Sequence, residues 1–233
     1  MRLQLLGSVL FSSCRKDTFW PAPAVGTWQN KVISQLERAT ADLYRWRKRT
    51  RFGCSFKRFK LSQLHVQRRD LDFPWLKSKA VNAAVLTEFL LFKYRSISTP
   101  DAEDVMIKLC LTGFAHTYRI IKHKRRWLTD SECATLEQAR LACLGGYNAL
   151  SSQCASTLPQ RALYGMIPKF HQLDHLLRDA IETKMNPRVF WTLGDESFGG
   201  EVALCCRSLH PTAMCRRAVD RWLAVFFQTA REF

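Results

Sequence analysis

Apolar side chains recur at three- and four-residue steps along most of this chain, the period of a helix with one buried face. From Trp28 to about Arg47, Val32, Leu36, Ala39 and Leu43 follow that spacing, after a proline-rich turn at Trp20-Pro21-Ala22-Pro23. Ser78 offers an N-cap for a second helix running to about Arg95. Its Val81, Val85, Leu86, Phe89, Leu90, Phe92 and Tyr94 cover most of the circumference, so it is expected to be central. Thr99-Pro100-Asp101 opens a third helix, reaching about Ile121, with early carboxylates matched to the helix dipole. Thr129 to Glu132 matches a capping box, and Cys133, Leu136, Cys143, Tyr147, Leu150 and Cys154 continue a near-heptad stripe that Arg140 interrupts. Another helix is expected from Lys169 to Lys184, with Phe170, Leu173, Leu177 and Ala180 inward and Pro187 beyond its end. A short helix after Asp195 and a last one from Thr212 to about Ala230 complete the set.

Long alternating patterns of the kind strands show are absent, as are internal repeats and low-complexity tracts. The pattern predicts an all-α fold, an irregular multi-helix bundle of about six or seven helices with a basic amino-terminal arm. It leaves room for a small sheet only around Arg188-Val189-Phe190-Trp191. The expected division is an irregular segment over 1–27, a basic helical arm over 28–70 and a helical domain over 71–233.

With 233 residues, 47% of them hydrophobic, the chain can bury a substantial core, which excludes wholesale disorder. Its formal charge of +16 changes the picture more, because it draws the protein to polyanions: nucleic acid, an acidic protein partner or an anionic membrane surface. Ten of the cations lie between Arg45 and Arg69, where no Asp or Glu occurs. The nine cysteines form no CxxC pair and read as reduced, mostly buried thiols of a nuclear or cytoplasmic protein. No apolar run approaches the ~20 residues of a transmembrane segment, since Glu88 interrupts Ala80 to Phe92. Arg2 followed by Leu3 to Phe11 resembles a short signal segment, but Gln4 interrupts it and no A-x-A-like cleavage site follows. An organelle transit peptide, with Asp17 the first acid, is the other targeting alternative.

The sharpest chemical signal is the interleaving of Trp46, Phe52, Phe56 and Phe59 with cations. Cations neutralise phosphates and aromatic faces stack on unpaired bases, which makes Arg45, Arg47, Lys48, Arg49, Arg51, Lys57, Arg58, Lys60, Arg68 and Arg69 candidate contacts to DNA or RNA. The competing readings are aromatics anchored in the core beneath solvated cations, and a localisation signal over Arg45 to Arg51. A second basic cluster, Arg119 to Arg126, sits at a helix C-terminus, where cations also favour the dipole.

His171 and His175, four apart on an expected helix, would reach one metal ion from the same face, with Asp195 and Glu196 as further ligands if the fold brings them near. Gln172 stands where a zincin carries Glu, and two histidines hydrogen-bonded at a helix edge is the plainer reading. Gly194-Asp195-Glu196-Ser197-Phe198-Gly199-Gly200 likewise reads first as a turn and helix start. No spacing singles out a nucleophile with its base. No cofactor is expected, and a divalent metal enters only with a phosphodiester hydrolase.

The ordered set Pro168-Lys169-Phe170-His171, His175, Asn186-Pro187-Arg188, Asp195-Glu196, Gly199 or Gly200, and His210-Pro211 with Arg216 or Arg217 resembles a carboxy-terminal block of proteins encoded by repetitive mobile elements. More distantly it resembles the P-K-x-H-x-x-x-H blocks of cut-and-paste transposases. Phe73 to Ala80 and Trp127 to Glu132 look like lesser blocks of the same group. The transposase comparison implies Glu196 as the catalytic third acid of a metal-binding triad. The sequence departs from that pattern, with no strand bearing the first two aspartates, and two metal ions cannot be positioned without them. The resemblance therefore implies a truncated or domesticated mobile-element product, more readily inactive on its own than a working enzyme. The expectation is a helical nucleic-acid-associating protein, with a metal-dependent phosphodiester hydrolase and a non-catalytic interaction scaffold as alternatives.

Overall fold

The computed structural model describes residues 2–69, 71–98, 100–156 and 162–190. Among them lie seven α-helices: α1 (Arg2–Arg15), α2 (Trp28–Thr50), α3 (Ala80–Arg95), α4 (Ala102–His123), α5 (Asp130–Arg140), α6 (Gly146–Ser156) and α7 (Pro168–Thr183). Met1–Asn186 forms one compact unit and Pro187–Phe233 another. Of the second, only the 3₁₀ turn Pro187–Phe190 belongs to the described residues, and it stands where the sequence left room for a small sheet. No strand occurs among the described residues; Trp127 and Met185 make an isolated antiparallel bridge. The fold is all-α, as the periodicity predicts. The helices expected after Asp195 and over 212–230 lie outside the described residues.

The segment 1–27 is not irregular: it opens with α1, which is buried nearly all round. Leu5, Leu6, Val9, Leu10 and Phe11 are buried, and so are Ser8, Ser12 and Ser13. Buried hydroxyls need partners, and each has them. Ser13 Oγ donates to the Val9 carbonyl at 2.8 Å and lies 2.7 Å from the Tyr94 hydroxyl. Ser12 Oγ donates to Glu103 at 2.6 Å, and Ser8 Oγ donates to the Pro74 carbonyl while accepting from the Tyr164 amide. Gly7 admits the crossing backbone, since a Cβ there would stand 2.5 Å from the Trp75 Cα. At the end of α1, Lys16 Nζ reaches Asp101, Glu103 and Asp104 at 2.8–3.0 Å, tying α1 to the first turn of α4.

Local signals set most of the other helix ends. Thr27 caps α2 by accepting from the Asn30 amide, and Asp101 caps α4 by accepting from the Asp104 amide. The start of α3 differs from the sequence reading, because Lys79 occupies the N-cap with no side-chain bond. At α5 both arms of the capping box form: Thr129 Oγ1 accepts from the Glu132 amide and Glu132 Oε2 from the Thr129 amide. After Arg140 a π-turn, Leu141–Gly145, inserts before α6. That turn keeps Cys143, Tyr147, Leu150 and Cys154 on the buried side with Cys133 and Leu136 despite the break in spacing. Arg140 itself faces an ion-pair network with Glu137 at 2.7 Å and with Asp174 of α7. Phe170, Leu177 and Ala180 are the buried face of α7, with Leu173 packed beside them.

Candidate nucleic-acid interface

The basic segment is not a separate arm. Its first part is the carboxy-terminal half of α2, where Leu43 and Trp46 are buried, and Phe56, Phe59, Leu64 and Val66 carry its remainder into the same core. Trp46, Phe56 and Phe59 are therefore anchors, at 5%, 6% and 4% exposure, and are withdrawn from any stacking role. Phe52 differs. It lies 45% exposed with its ring stacked on Trp46, centroids 5.2 Å apart and planes within 7°. The buried indole thus props one face of Phe52 while the other part of the ring stays in water. Tyr44 and Phe92 are exposed on the neighbouring turns of α2 and α3.

The ten candidate cations divide by what they touch. Arg47 is half-buried and its guanidinium donates to the carbonyls of Cys54 at 2.6 Å and of Phe52 and Phe56 at 3.4 Å, so it folds the chain back after α2. Arg45 pairs with Asp42 at 2.6 Å and Arg68 with Asp72 at 3.0 Å. Arg49 stands 4.9 Å over the Phe92 ring. Lys48, Arg51, Lys57, Arg58, Lys60 and Arg69 are exposed, with no ion pair among the described residues. Arg51 ends α2 in the left-handed region, φ 58°, donating its amide to the Arg47 carbonyl. This places Lys48, Arg49 and Arg51 around the negative end of the α2 dipole, where cations are favoured, and next to Phe52.

Asp42 anchors the underside of this face. Burial works against its carboxylate, but hydrogen bonds from Lys93 and Trp20 and the charges of Lys93 and Arg45 outweigh it and hold the carboxyl below its ordinary range. Asp72 is held low too, by the Arg68 and Gln67 amides that it accepts. The second basic cluster is differently occupied. Arg119 grips Glu88 at 2.8 Å, Lys124 pairs with Glu132 at 3.0 Å, Lys122 lies over Tyr118 and Arg126 over Trp127.

His171 and His175 share one exposed face of α7, with their Nε2 atoms 2.9 Å apart. Asp174 between them is turned to Arg140 and Arg178 instead. Among the described residues no group of three or more histidine, cysteine or carboxylate side chains could hold a metal ion. Asp195 and Glu196 lie outside the described residues. None of the described cysteines is in a disulfide, and burial pushes the Cys14 thiol up to about 12. No described helix is long and apolar enough to cross a membrane. The chain matches no protein-family model, no curated protein and no solved structure.

Proposed function

We propose that this chain associates with nucleic acid through the face at the end of α2. Lys48, Arg49 and Arg51 contact phosphates, and Phe52, with Tyr44 beside it, offers aromatic surface to unpaired bases. The observation that carries the reading is Phe52: an exposed ring held flat against a buried indole and flanked by exposed cations. Exposed aromatic surface is costly to leave in water, and stacking against a base contributes ~1–3 kcal/mol per base. Duplex bases are already stacked, so this arrangement favours single strands. Arg47 and Arg45 shape the face instead of meeting the strand, Arg47 by holding the 52–56 backbone in place. Lys57, Arg58 and Lys60, exposed beyond the buried Phe56 and Phe59, extend the positive surface and add phosphate contacts without stacking.

The test is fluorescence anisotropy with a labelled single-stranded oligonucleotide and its duplex at 50 mM salt. Phe52→Ala weakens single-strand binding about 5- to 150-fold, the stacking contribution expressed as affinity, and leaves duplex binding nearly unchanged. Equal binding of both strands by the wild type and F52A would remove the stacking role.

A further inference from the structure

The outer side of α7 carries a pair of histidines that the strand-binding reading leaves unused. With Phe170, Leu177 and Ala180 turned into the core, His171 and His175 fall on the solvent side one turn apart, and both are exposed. Their Nε2 atoms stand 2.9 Å apart, with ring centroids 4.3 Å apart and the planes at 85°. The two nitrogens thus already converge. Asp174, the carboxylate between them in sequence, is held by Arg140 and Arg178, so the imidazoles are bonded to each other and not to it. The helix packs against α5, whereas the strand-binding face lies on α2. The two readings therefore stand on different residues.

We propose that His171 and His175 chelate a divalent first-row transition ion of square or octahedral preference, nickel(II) or copper(II), with water at its other positions. Neutral imidazole is a strong ligand for such ions and binds through a ring-nitrogen lone pair. Two nitrogens ~2.05 Å from one ion and at a right angle are ~2.9 Å apart, whereas the tetrahedral angle requires ~3.3 Å. The observed 2.9 Å is the right-angle spacing, which suits the tetragonal nitrogen and oxygen sites of nickel and copper better than a zinc tetrahedron. Without metal, one ring donates its Nε2 proton to the other. For two neutral rings, binding shifts that proton through solvent to Nδ1 of the same ring, which frees both Nε2 lone pairs with no net proton release. Both rings are exposed, so neither the backbone nor the core has to move. The site needs no carboxylate and implies no hydrolysis.

The experiment is calorimetric titration of the full chain with nickel(II) chloride in a non-coordinating buffer at about pH 7.5, where free imidazole is mostly neutral. Absorption spectra are recorded alongside. Losing even an outer partner of a metal ligand costs ~10- to 100-fold in affinity, so His171→Ala and His175→Ala each weaken nickel binding at least about 10-fold. Circular dichroism of both variants matches the wild type, because the side chains are exposed. His123→Ala, at an exposed histidine ending α4, leaves nickel binding unchanged. The bound ion shows only weak ligand-field bands, since nitrogen and water surround it; capture by thiolates instead gives an intense sulfur-to-nickel band in the near ultraviolet. No nickel binding, binding unchanged in both pair variants, equal weakening by H123A, or the thiolate band on the event assigned to the pair overturns the site.

Discussion

Gly113 lies in the middle of α4 where that helix meets α5 and the π-turn. A Cβ at this position would stand 2.6 Å from the Ala139 carbonyl oxygen, 2.6 Å from the Cys143 amide nitrogen and 2.9 Å from the Cys143 Cβ. Two of these are backbone atoms, so the clash cannot be relieved by a rotamer change, and α4 must move off α5. Overpacking of this kind costs up to ~3 kcal/mol, while alanine gains about 1 kcal/mol over glycine inside a helix. The steric effect wins, and Gly113→Ala is expected to destabilise the protein by about 2 kcal/mol. Urea unfolding followed by circular dichroism should show the midpoint falling by about 0.7 M, taking a slope near 3 kcal/mol/M. The melting temperature should drop by about 4–8 °C. Gly145 is the internal comparison: it is exposed in the π-turn, and nothing lies within 4 Å of an added Cβ. Gly145→Ala should be neutral or stabilising by up to about 1 kcal/mol. Equal stability of G113A and wild type would refute the close approach of α4 to α5.

Arg47→Gln removes a guanidinium that serves three carbonyls; it should destabilise by about 2 kcal/mol and increase amide hydrogen exchange over residues 52–56. Asp42 has a folded pKa below its unfolded one, so it stabilises the fold above the unfolded carboxylate value, and that stability is lost as pH falls through the folded value. Asp42→Asn should therefore flatten the decline in melting temperature below about pH 4, and an unchanged acid profile would contradict the Lys93 and Trp20 contacts. Tyr164→Phe deletes the 2.7 Å hydrogen bond to Glu103, and should cost about 1–2 kcal/mol in chemical denaturation.

Much of the fold was legible because α2, α4, α5 and α7 each keep a polar face, so their apolar stripes show the helical period. The box at Thr129 and Glu132 marked one start, whereas α4 begins at Ala102 with Asp101 as its cap, past the Pro100 at which the sequence placed its first helical position. By contrast, α1 was not legible, because a helix buried on nearly every side has no polar face to set a period. Its serines are satisfied by tertiary partners, Glu103, Tyr94 and Pro74, that no local pattern records. The break at Arg140 looked like an interruption because a π-turn shifts the register. At the candidate interface, composition located the cations but could not separate Phe52 from Trp46, Phe56 and Phe59. Likewise, Arg47 reads like its neighbours until the chain is seen folding back over its guanidinium.

The central claim is a strand-binding face at the end of α2. The most direct measurement is the salt dependence of single-strand affinity for the wild type and for the triple variant Lys48→Gln, Arg49→Gln, Arg51→Gln. Each phosphate contact contributes about 0.7 to the slope of log K against log salt, so three lost contacts should lower its magnitude by about 2 and weaken binding at 50 mM salt. An identical slope in the triple variant, or no binding by the wild type at that salt, would contradict the claim.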